Sequence, residues 1–333
     1  AVGIGAVIIS AIYWLFGFLR MSTTGLVAQA NGAEDLSAVF AFLIRGVLIG
    51  TIAGLLILLL QAPLFWIAFK IFQAIPDVES KAESYLSIRI WTAPLSIANF
   101  AVLGWLIALE RTLYVLCLQI FVNLLNIILN LIFVLNLGWG IEGVALATVI
   151  SETVNAILAL GITINLYRKF GSPRIQKLFS IIEWKNLFFT NVNIFIRSIL
   201  IEIVIISYVF FGSTMGTVIL ATNHILLQFV HIASYALDGF AFSAEALVGS
   251  AYGQKSQSRI RTAAIKSTFC AFICALSITL IFFLFGNSLI CIMVRDEVIQ
   301  QSRDQKVAGC RGWSWKNAGP YRRFRLQNYQ AHW

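Results

Sequence analysis

The chain has 333 residues, of which 59% are hydrophobic and 12% are charged, and its formal net charge is +9 at pH 7. Soluble domains are about 45–50% apolar and about 25% charged, so this composition excludes a soluble enzyme. The net charge does not indicate a nucleic-acid partner, because eight of the 24 Lys and Arg residues lie in 292–333 and the rest of the chain is only mildly basic.

Apolar runs long enough to cross a hydrocarbon core of about 30 Å recur along the chain. They lack the alternation of an outer-membrane barrel, and a spanning segment must satisfy its own backbone hydrogen bonds, so helices are predicted. The predicted spans lie at about 1–19, 38–70, 86–108, 113–136, 143–166, 188–211, 217–250 and 262–290. We therefore predict an all-α polytopic membrane protein with about eight transmembrane helices.

Basic residues concentrate in alternate loops, which the positive-inside rule places in the cytoplasm. The loops after the fifth and the seventh span hold these cations: Arg168, Lys169, Arg174, Lys177, Lys185, Lys255, Arg259, Arg261 and Lys266. The opposite loops are acidic or carry no cation. This alternation places Ala1 outside, so we expect a further span before it.

The segment 292–333 combines eight basic residues with three Trp and has no apolar run, yet the same alternation places it outside. A basic tail there opposes the rule that fits every other loop. We expect an aberrant, out-of-frame or foreign C-terminus that follows a truncation. The alternative is a genuine tail that binds anionic lipid.

An internal repeat relates the two halves of the chain. The segment Ser22–Asp35 aligns without a gap with Ser243–Ser256, and both copies end a span on the cytoplasmic side. Six spans separate the copies, so the halves have the same orientation and form a parallel repeat. Tight helix packing explains the small residues of both copies as well as any mechanism does, and we assign them to no site.

Six spans per repeat predict a twelve-helix parent with two lobes, from which this chain lacks one span at the front and three at the back. The predicted domains are an N-terminal lobe without its first helix (1–170), a partial C-terminal lobe (171–291) and the basic tail (292–333).

Three asparagines, Asn123, Asn126 and Asn130, lie at i, i+3 and i+7 on one face of the fourth predicted span. An amide that faces hydrocarbon is costly, so this face must contact protein or water. Two interpretations stay open at this point: hydrogen bonds between helices, or the wall of a polar cavity.

Four carboxylates lie inside predicted spans, where an ionisable group is a functional-site hypothesis by default. They are Glu152, Glu202, Asp238 and Glu245. Glu152 follows Thr148 by four residues and shares its helix face. Glu245 lies near a cytoplasmic end, where pairing with Lys255 or Arg259 is the alternative.

The remaining polar residues in the spans favour simpler interpretations. His224 and His231 stand at i and i+7 of the seventh span, where hydrogen-bonded packing is favoured over a proton relay. Arg45, Arg89 and Arg197 lie near span ends, where snorkelling explains them. The five cysteines and the histidines have no metal-site spacing, and there is no phosphate loop or catalytic triad, so we predict no metal, no organic cofactor and no enzyme activity.

Four motifs carry a family resemblance: RMSTTGLVAQANGAED, NLLNIILN, GVALATVISE and YALDGFAFSAEALVGSAYG. With them, residues 1–291 resemble the DNA-damage-inducible F-type branch of the multidrug and toxic compound extrusion family. The resemblance implies two lobes that rock between inward-open and outward-open states and exchange H⁺ or Na⁺ for a lipophilic, often cationic substrate.

In that branch the coupling site lies in the N-terminal lobe, around an aspartate on a first helix that this chain does not contain. The resemblance carries over to Asn126, Asn130 and Thr148. The family usually has an aspartate at the position of Asn130, and an asparagine cannot titrate, so coupling is expected to be weakened or altered.

The sequence thus predicts a secondary antiporter of the bacterial inner membrane, a monomer whose partners are the lipid bilayer and a small lipophilic or cationic drug or metabolite. As it stands, the fragment is expected to be inactive. Its candidate cation- or substrate-binding residues are Asn123, Asn126, Asn130, Thr148, Glu152, Glu202, Asp238 and Glu245. The alternatives are a lipid-precursor flippase, a membrane-embedded enzyme that uses His224, His231 or the carboxylates, and a remnant that transports nothing.

Overall fold

The computed structural model of the chain describes residues 2–72, 76–171, 178–214 and 217–298, and every regular element in them is helical. The α-helices are α1 (Val2–Trp14), α2 (Phe18–Gly32), α3 (Leu36–Leu59), α4 (Gln61–Phe72), α5 (Pro76–Arg89), α6 (Ala93–Ala108), α7 (Thr112–Asn130), α8 (Gly140–Lys169), α9 (Ile181–Thr214), α10 (Thr217–Gly253) and α11 (Gln257–Val298). Short 3₁₀ turns join α1 to α2 and α5 to α6, and a π-helical segment, Leu131–Asn136, extends α7.

Seven helical segments in the described part are long and apolar enough to cross a membrane. They are Val2–Gly32, Leu36–Leu59, Val78–Ala108, Thr112–Asn136, Gly140–Lys169, Ile181–Tyr208 and Gln257–Gly286. Helix α10 covers the remaining predicted span, 217–250. The prediction of an all-α fold with multiple transmembrane helices is therefore confirmed.

The structure corrects several predicted boundaries. The first span does not stop at residue 19 but continues as α2 to Gly32, and the eighth continues from 290 to Val298, inside the predicted tail. Residues 299–333 of that tail lie outside the described part. The second predicted span, 38–70, is two helices that meet at Leu60. Pro63 explains this break, because it has no N–H to donate to the carbonyl of Leu59, four residues earlier.

A close helix contact that glycines permit joins α3 to α6. Gly46, Gly50 and Gly54 recur every fourth residue along α3 and face α6. A Cβ at Gly50 would lie 2.7 Å from the Cα of Ala98, and one at Gly54 would overlap Pro94. Such small-residue stripes let helices approach closely where lipid supplies no hydrophobic driving force between them.

Replacing Gly54 with alanine should lower the free energy of unfolding by about 1–2 kcal/mol, because the new methyl group would overlap backbone that cannot rotate away. Titration of the purified chain with SDS measures this free energy. Gly161 in α8 is the matched control, since a Cβ there meets no atom within 4 Å. Gly161→Ala should be neutral or stabilising by up to about 1 kcal/mol. Equal losses in both variants would contradict the close α3–α6 contact.

By their internal contacts, the described residues fall into two compact units. The first lies within Ala1–Phe210 and Asp238–Ala271, and the second within Phe211–Leu237 and Phe272–Trp333. These units do not coincide with the predicted lobes 1–170 and 171–291, whose division stays a prediction. The candidate site described below lies entirely within the first unit.

The two copies of the repeat pack against each other in the first unit, where α2 meets the last turns of α10. A Cβ at Gly249 would lie 2.8 Å from the Cβ of Ala28. A Cβ at Gly32 would overlap the carbonyl oxygen of Ser250, and one at Gly253 would overlap that of Gln29. The alignment that pairs Ser22 with Ser243 carries each of these contacts into its counterpart, so the repeat is also a symmetry of this contact.

Candidate functional site

A cavity of about 320 Å³ lies beside α1, α6, α7 and α8 in the first unit. Most of the residues that line it are polar, which is unusual between helices this apolar. The polar residues are Tyr13, Ser96, Asn99, Gln119, Asn123, Asn126, Thr148, Ser151, Glu152 and Asn155. Because an unpaired polar group in hydrocarbon is costly, these side chains mark a place built to hold water or a polar ligand.

Asn126 is the centre of a hydrogen-bond network between α7 and α8. Its Nδ2 donates to the hydroxyl oxygens of Thr148, at 3.0 Å, and Ser151, at 3.2 Å. Both hydroxyls donate in turn to carbonyls of their own helix, those of Val144 and Ala147. The Oδ1 of Asn126 accepts a 2.9 Å hydrogen bond from Nδ2 of Asn130. The network fixes the orientation of the Asn126 amide.

Glu152 is the only carboxylate among the described residues that line this cavity. Its Oε1 lies 2.7 Å from Nη1 of Arg89, and its Oε2 accepts a 2.7 Å hydrogen bond from the hydroxyl of Ser96. Arg89 is only 8% exposed. The prediction that Arg89 snorkels to the interface is therefore wrong. The guanidinium turns inward because a carboxylate faces it from α8.

Several amide oxygens near the cavity are buried and accept no hydrogen bond from any described residue. They are the Oδ1 atoms of Asn99, Asn130 and Asn155, and the first and the last of these residues line the cavity. Neutral amide oxygens and carboxylates are the ligands that hard cations prefer. The two unsatisfied oxygens of Asn99 and Asn155 and the Glu152 carboxylate thus share one cavity and form a donor set that suits a small cation or a hydronium-like water.

A comparison with models of protein families identifies the family of the chain. The model for MatE matches residues 1–132 and 194–304, more than half of the sequence. The chain belongs to the MatE family. The matched residues include Asn126 and Asn130, and the resemblance predicted from the sequence motifs is confirmed. With its apolar helices, this MatE chain is a multi-pass membrane protein.

Two curated proteins are similar in sequence to this MatE chain. The chain is 33% identical to DNA damage-inducible protein F of Escherichia coli (strain K12) over 305 residues, which cover 91% of this chain and 66% of that protein. It is 29% identical to the probable multidrug resistance protein NorM of Rhizobium meliloti (strain 1021) over 260 residues, covering 72% and 52%. The MatE chain thus spans less than two thirds of the length of either relative.

Solved structures share the fold. A crystal structure of MATE in complex with MaL6 matches with a TM-score of 0.76 at 19% identity, covering 90% of this chain and 67% of that chain. An outward-facing multidrug resistance MATE family transporter of the MOP superfamily matches with a TM-score of 0.70 at 18% identity, covering 87% and 65%.

The other predicted site residues of the MatE chain lie apart from the network. Asn123 lines the cavity but is exposed, and its Nδ2 donates to the carbonyl of Gln119 at 2.7 Å. Glu202 is half-buried in α9 and does not line the cavity. Asp238 is exposed on α10, away from the cavity. A role for these three residues in binding stays a prediction.

Glu245 belongs to a charge cluster where α2 meets α10. Arg20 interacts electrostatically with Glu245 and Asp238, and Glu245 also interacts with Arg197. The guanidinium of Arg20 lies 4.0 Å from the ring centroid of Phe242, a cation–π distance. The predicted pairing of Glu245 with Lys255 or Arg259 is wrong, because the side chain points across to α2 and not along its own helix.

The histidines give little evidence of a relay. In the second unit, the His231 ring stacks on Tyr235 with centroids 6.2 Å apart, which favours packing. The His224 side chain lies outside the described part of the chain.

Sequence reasoning missed Ser96, Asn99 and Asn155 as lining residues of the cavity, and Arg89 as the partner of Glu152. A signal for Asn155 was available, since Thr148, Glu152 and Asn155 stand at i, i+4 and i+7 of one helix. Arg89 and Ser96 had no such signal, because they reach the site from α5 and α6.

Proposed function

We propose that this MatE chain is the cation-binding part of a secondary antiporter of a bacterial inner membrane, which exports lipophilic or cationic drugs or metabolites in exchange for H⁺ or Na⁺. In this proposal the polar cavity beside α1, α6, α7 and α8 is the coupling site. The single observation that carries it is the joint presence of one carboxylate, Glu152, and unsatisfied buried amide oxygens in that cavity.

The chemistry of the cavity suits a monovalent cation. For Na⁺, the oxygens of Asn126, Thr148, Glu152 and Asn155 would supply ligands from two adjacent helices. For H⁺, Glu152 is the titratable carboxylate of the cavity, since Asn130 offers no group that ionises. Either cation would neutralise a carboxylate in apolar surroundings, which is the energetic basis of coupling.

The descriptions of two similar proteins support the proposed substrate class. The Rhizobium meliloti protein is described as a probable multidrug resistance protein, and one structural neighbour as a multidrug resistance transporter. The chain spans 66% of the E. coli relative, and the proposal assigns to it cation binding rather than a complete export cycle.

The lipid-precursor flippase receives less support. Such a protein would need unpaired basic groups within the membrane to hold a pyrophosphate head. The two arginines that are buried in the described part of the chain, Arg45 and Arg89, each face a carboxylate at 2.7 Å. The family assignment favours transport over enzyme activity.

The test compares two asparagines on the same helix. The thermal midpoint of the purified chain in detergent is measured with NaCl against choline chloride at equal ionic strength, and on acidification in choline chloride. One of the two ions should raise the midpoint of the unmodified chain and of Asn123→Ala, because a ligand that binds only the folded state stabilises it. Asn126→Ala should lose this response, since Asn126 orders the network and Asn123 does not.

Two results would contradict the proposed site. One is a chain that responds to neither ion. The other is an Asn126→Ala variant that responds as strongly as the unmodified chain does.

A further inference from the structure

The contact between Arg89 and Glu152 brings a cation of the protein itself to the carboxylate of the cavity. Arg89 ends α5, and Thr92 and Tyr13 both donate hydrogen bonds to its backbone carbonyl, at 2.9 and 3.4 Å. The backbone is therefore anchored, while the guanidinium reaches Glu152 through Nη1 at 2.7 Å.

The guanidinium is incompletely bonded where it lies. Its Nε is buried and donates no hydrogen bond to a described residue. A well-seated arginine–carboxylate pair uses two parallel hydrogen bonds, and this pair has one. Arg45 differs, because its Nε donates to the carbonyl of Leu178 at 3.1 Å while its Nη1 faces Glu183 at 2.7 Å. The Nε of Arg89 thus lacks the partner among the described residues that the Nε of Arg45 has.

The summed charge of Arg89 and Glu152 determines how a cation can bind in the cavity. With Arg89 in place, Glu152 and the guanidinium sum to zero, and no net charge is left to attract a monovalent cation. Other groups near Glu152 do not change this balance: Tyr13 from α1 and Tyr85 from α5 interact with it electrostatically, and Ser96 from α6 and Asn126 from α7 are neutral. A cation that enters the cavity must therefore take Glu152 from Arg89 or meet a site that repels it.

We propose that Arg89 is a tethered competitor of the coupling cation, which occupies Glu152 whenever no transported ion is bound there. The proposal rests on the proposed coupling site. It assigns the exchange of cations to Glu152, although position 130 carries an amide in this chain. Arg89 keeps the empty site neutral, which avoids an unpaired, partly buried carboxylate, and it leaves when H⁺ or Na⁺ replaces it.

The first experiment needs no substitution. The full chain in detergent is treated with phenylglyoxal, which modifies accessible guanidinium groups, and the modified arginines are quantified by mass spectrometry. NaCl, compared with choline chloride, or acidification should speed modification of Arg89 severalfold relative to Arg45, the buried arginine whose carboxylate lies outside the cavity. An unchanged ratio of Arg89 to Arg45 in a chain whose thermal midpoint responds to the cation would overturn the proposal.

The second experiment removes the competitor. Arg89→Gln should bind radioactive sodium about tenfold tighter, or should react severalfold faster with a carbodiimide at Glu152 if the ion is H⁺. Arg89→Lys keeps the charge and should stay close to the unmodified chain, and Glu152→Gln should lose both signals. If the unmodified chain binds the cation and Arg89→Gln binds it no better, the coupling site stands and the competitor role fails. If neither chain binds either ion, the coupling site itself fails, and the competitor role with it.

Discussion

Replacing Glu183 with alanine is expected to lower the free energy of unfolding by about 3 kcal/mol, because the substitution takes the carboxylate away from a buried arginine. Arg45 is 0% exposed in the middle of α3, and its Nη1 lies 2.7 Å from the Oε2 of Glu183 at the start of α9. The neighbouring Trp184 donates to the same carbonyl, that of Leu178, as Arg45 does. These contacts connect the start of α9 to α3.

SDS titration of the purified chain checks this expectation, and the double variant Arg45→Met with Glu183→Leu is its control. A buried ion pair that is replaced on both sides by apolar groups often costs little, whereas loss of one partner leaves a charge in a poor environment. The double variant should therefore regain most of the stability that Glu183→Ala loses. A loss of under about 0.5 kcal/mol for the single variant would mean that water solvates the pair.

The spans could be predicted from the sequence because their signal is local. A run of about twenty apolar residues indicates a membrane-spanning helix without information from distant residues. Each predicted span is helical over most of its length, although the span 38–70 is interrupted at Leu60. The polar face of α7 could be predicted for the same reason, since Asn126 and Asn130 lie on one helix at a fixed spacing.

The ion pairs could not be predicted in this way. Arg89 and Glu152 lie 63 residues apart and come from α5 and α8, while Arg45 and Glu183 are separated by a still longer stretch of chain. Sequence position alone places both arginines near span ends, where snorkelling is the ordinary expectation. Only the packing of the helices decides that each guanidinium turns inward.

The internal repeat could also be predicted from the sequence, and the structure shows what its small residues contact. Two copies of a short motif with small residues could arise from helix packing alone. Here the copies pack on each other, and Ala28 meets Gly249, its own counterpart in the alignment of the two copies. A residue that contacts its counterpart lies on the axis of a twofold relation. The small residues therefore follow from symmetry as well as from close approach.

Replacing Asn130 with aspartate is expected to make the stability of the chain depend on the coupling cation. Asn130 now donates from Nδ2 to Oδ1 of Asn126 at 2.9 Å. An ionised carboxylate has no hydrogen to donate, so two oxygens would face each other near the cavity. Without a cation, Asn130→Asp should lower the free energy of unfolding by about 2–3 kcal/mol, the cost of a lost hydrogen bond that leaves a half-buried charged group unsatisfied.

A cation between the same two oxygens would reverse that loss. If Na⁺ binds there, NaCl at about ten times its dissociation constant should restore about 1.4 kcal/mol relative to choline chloride, while the unmodified chain should gain less. Asn123→Asp is the matched control, because Asn123 lies on the same helix but is exposed and bonds to the backbone of Gln119. It should change stability little and respond to neither salt. If Asn130→Asp is as stable as the unmodified chain in choline chloride, then Asn126 has turned its amide to donate to the new carboxylate, and position 130 lies outside the cation site.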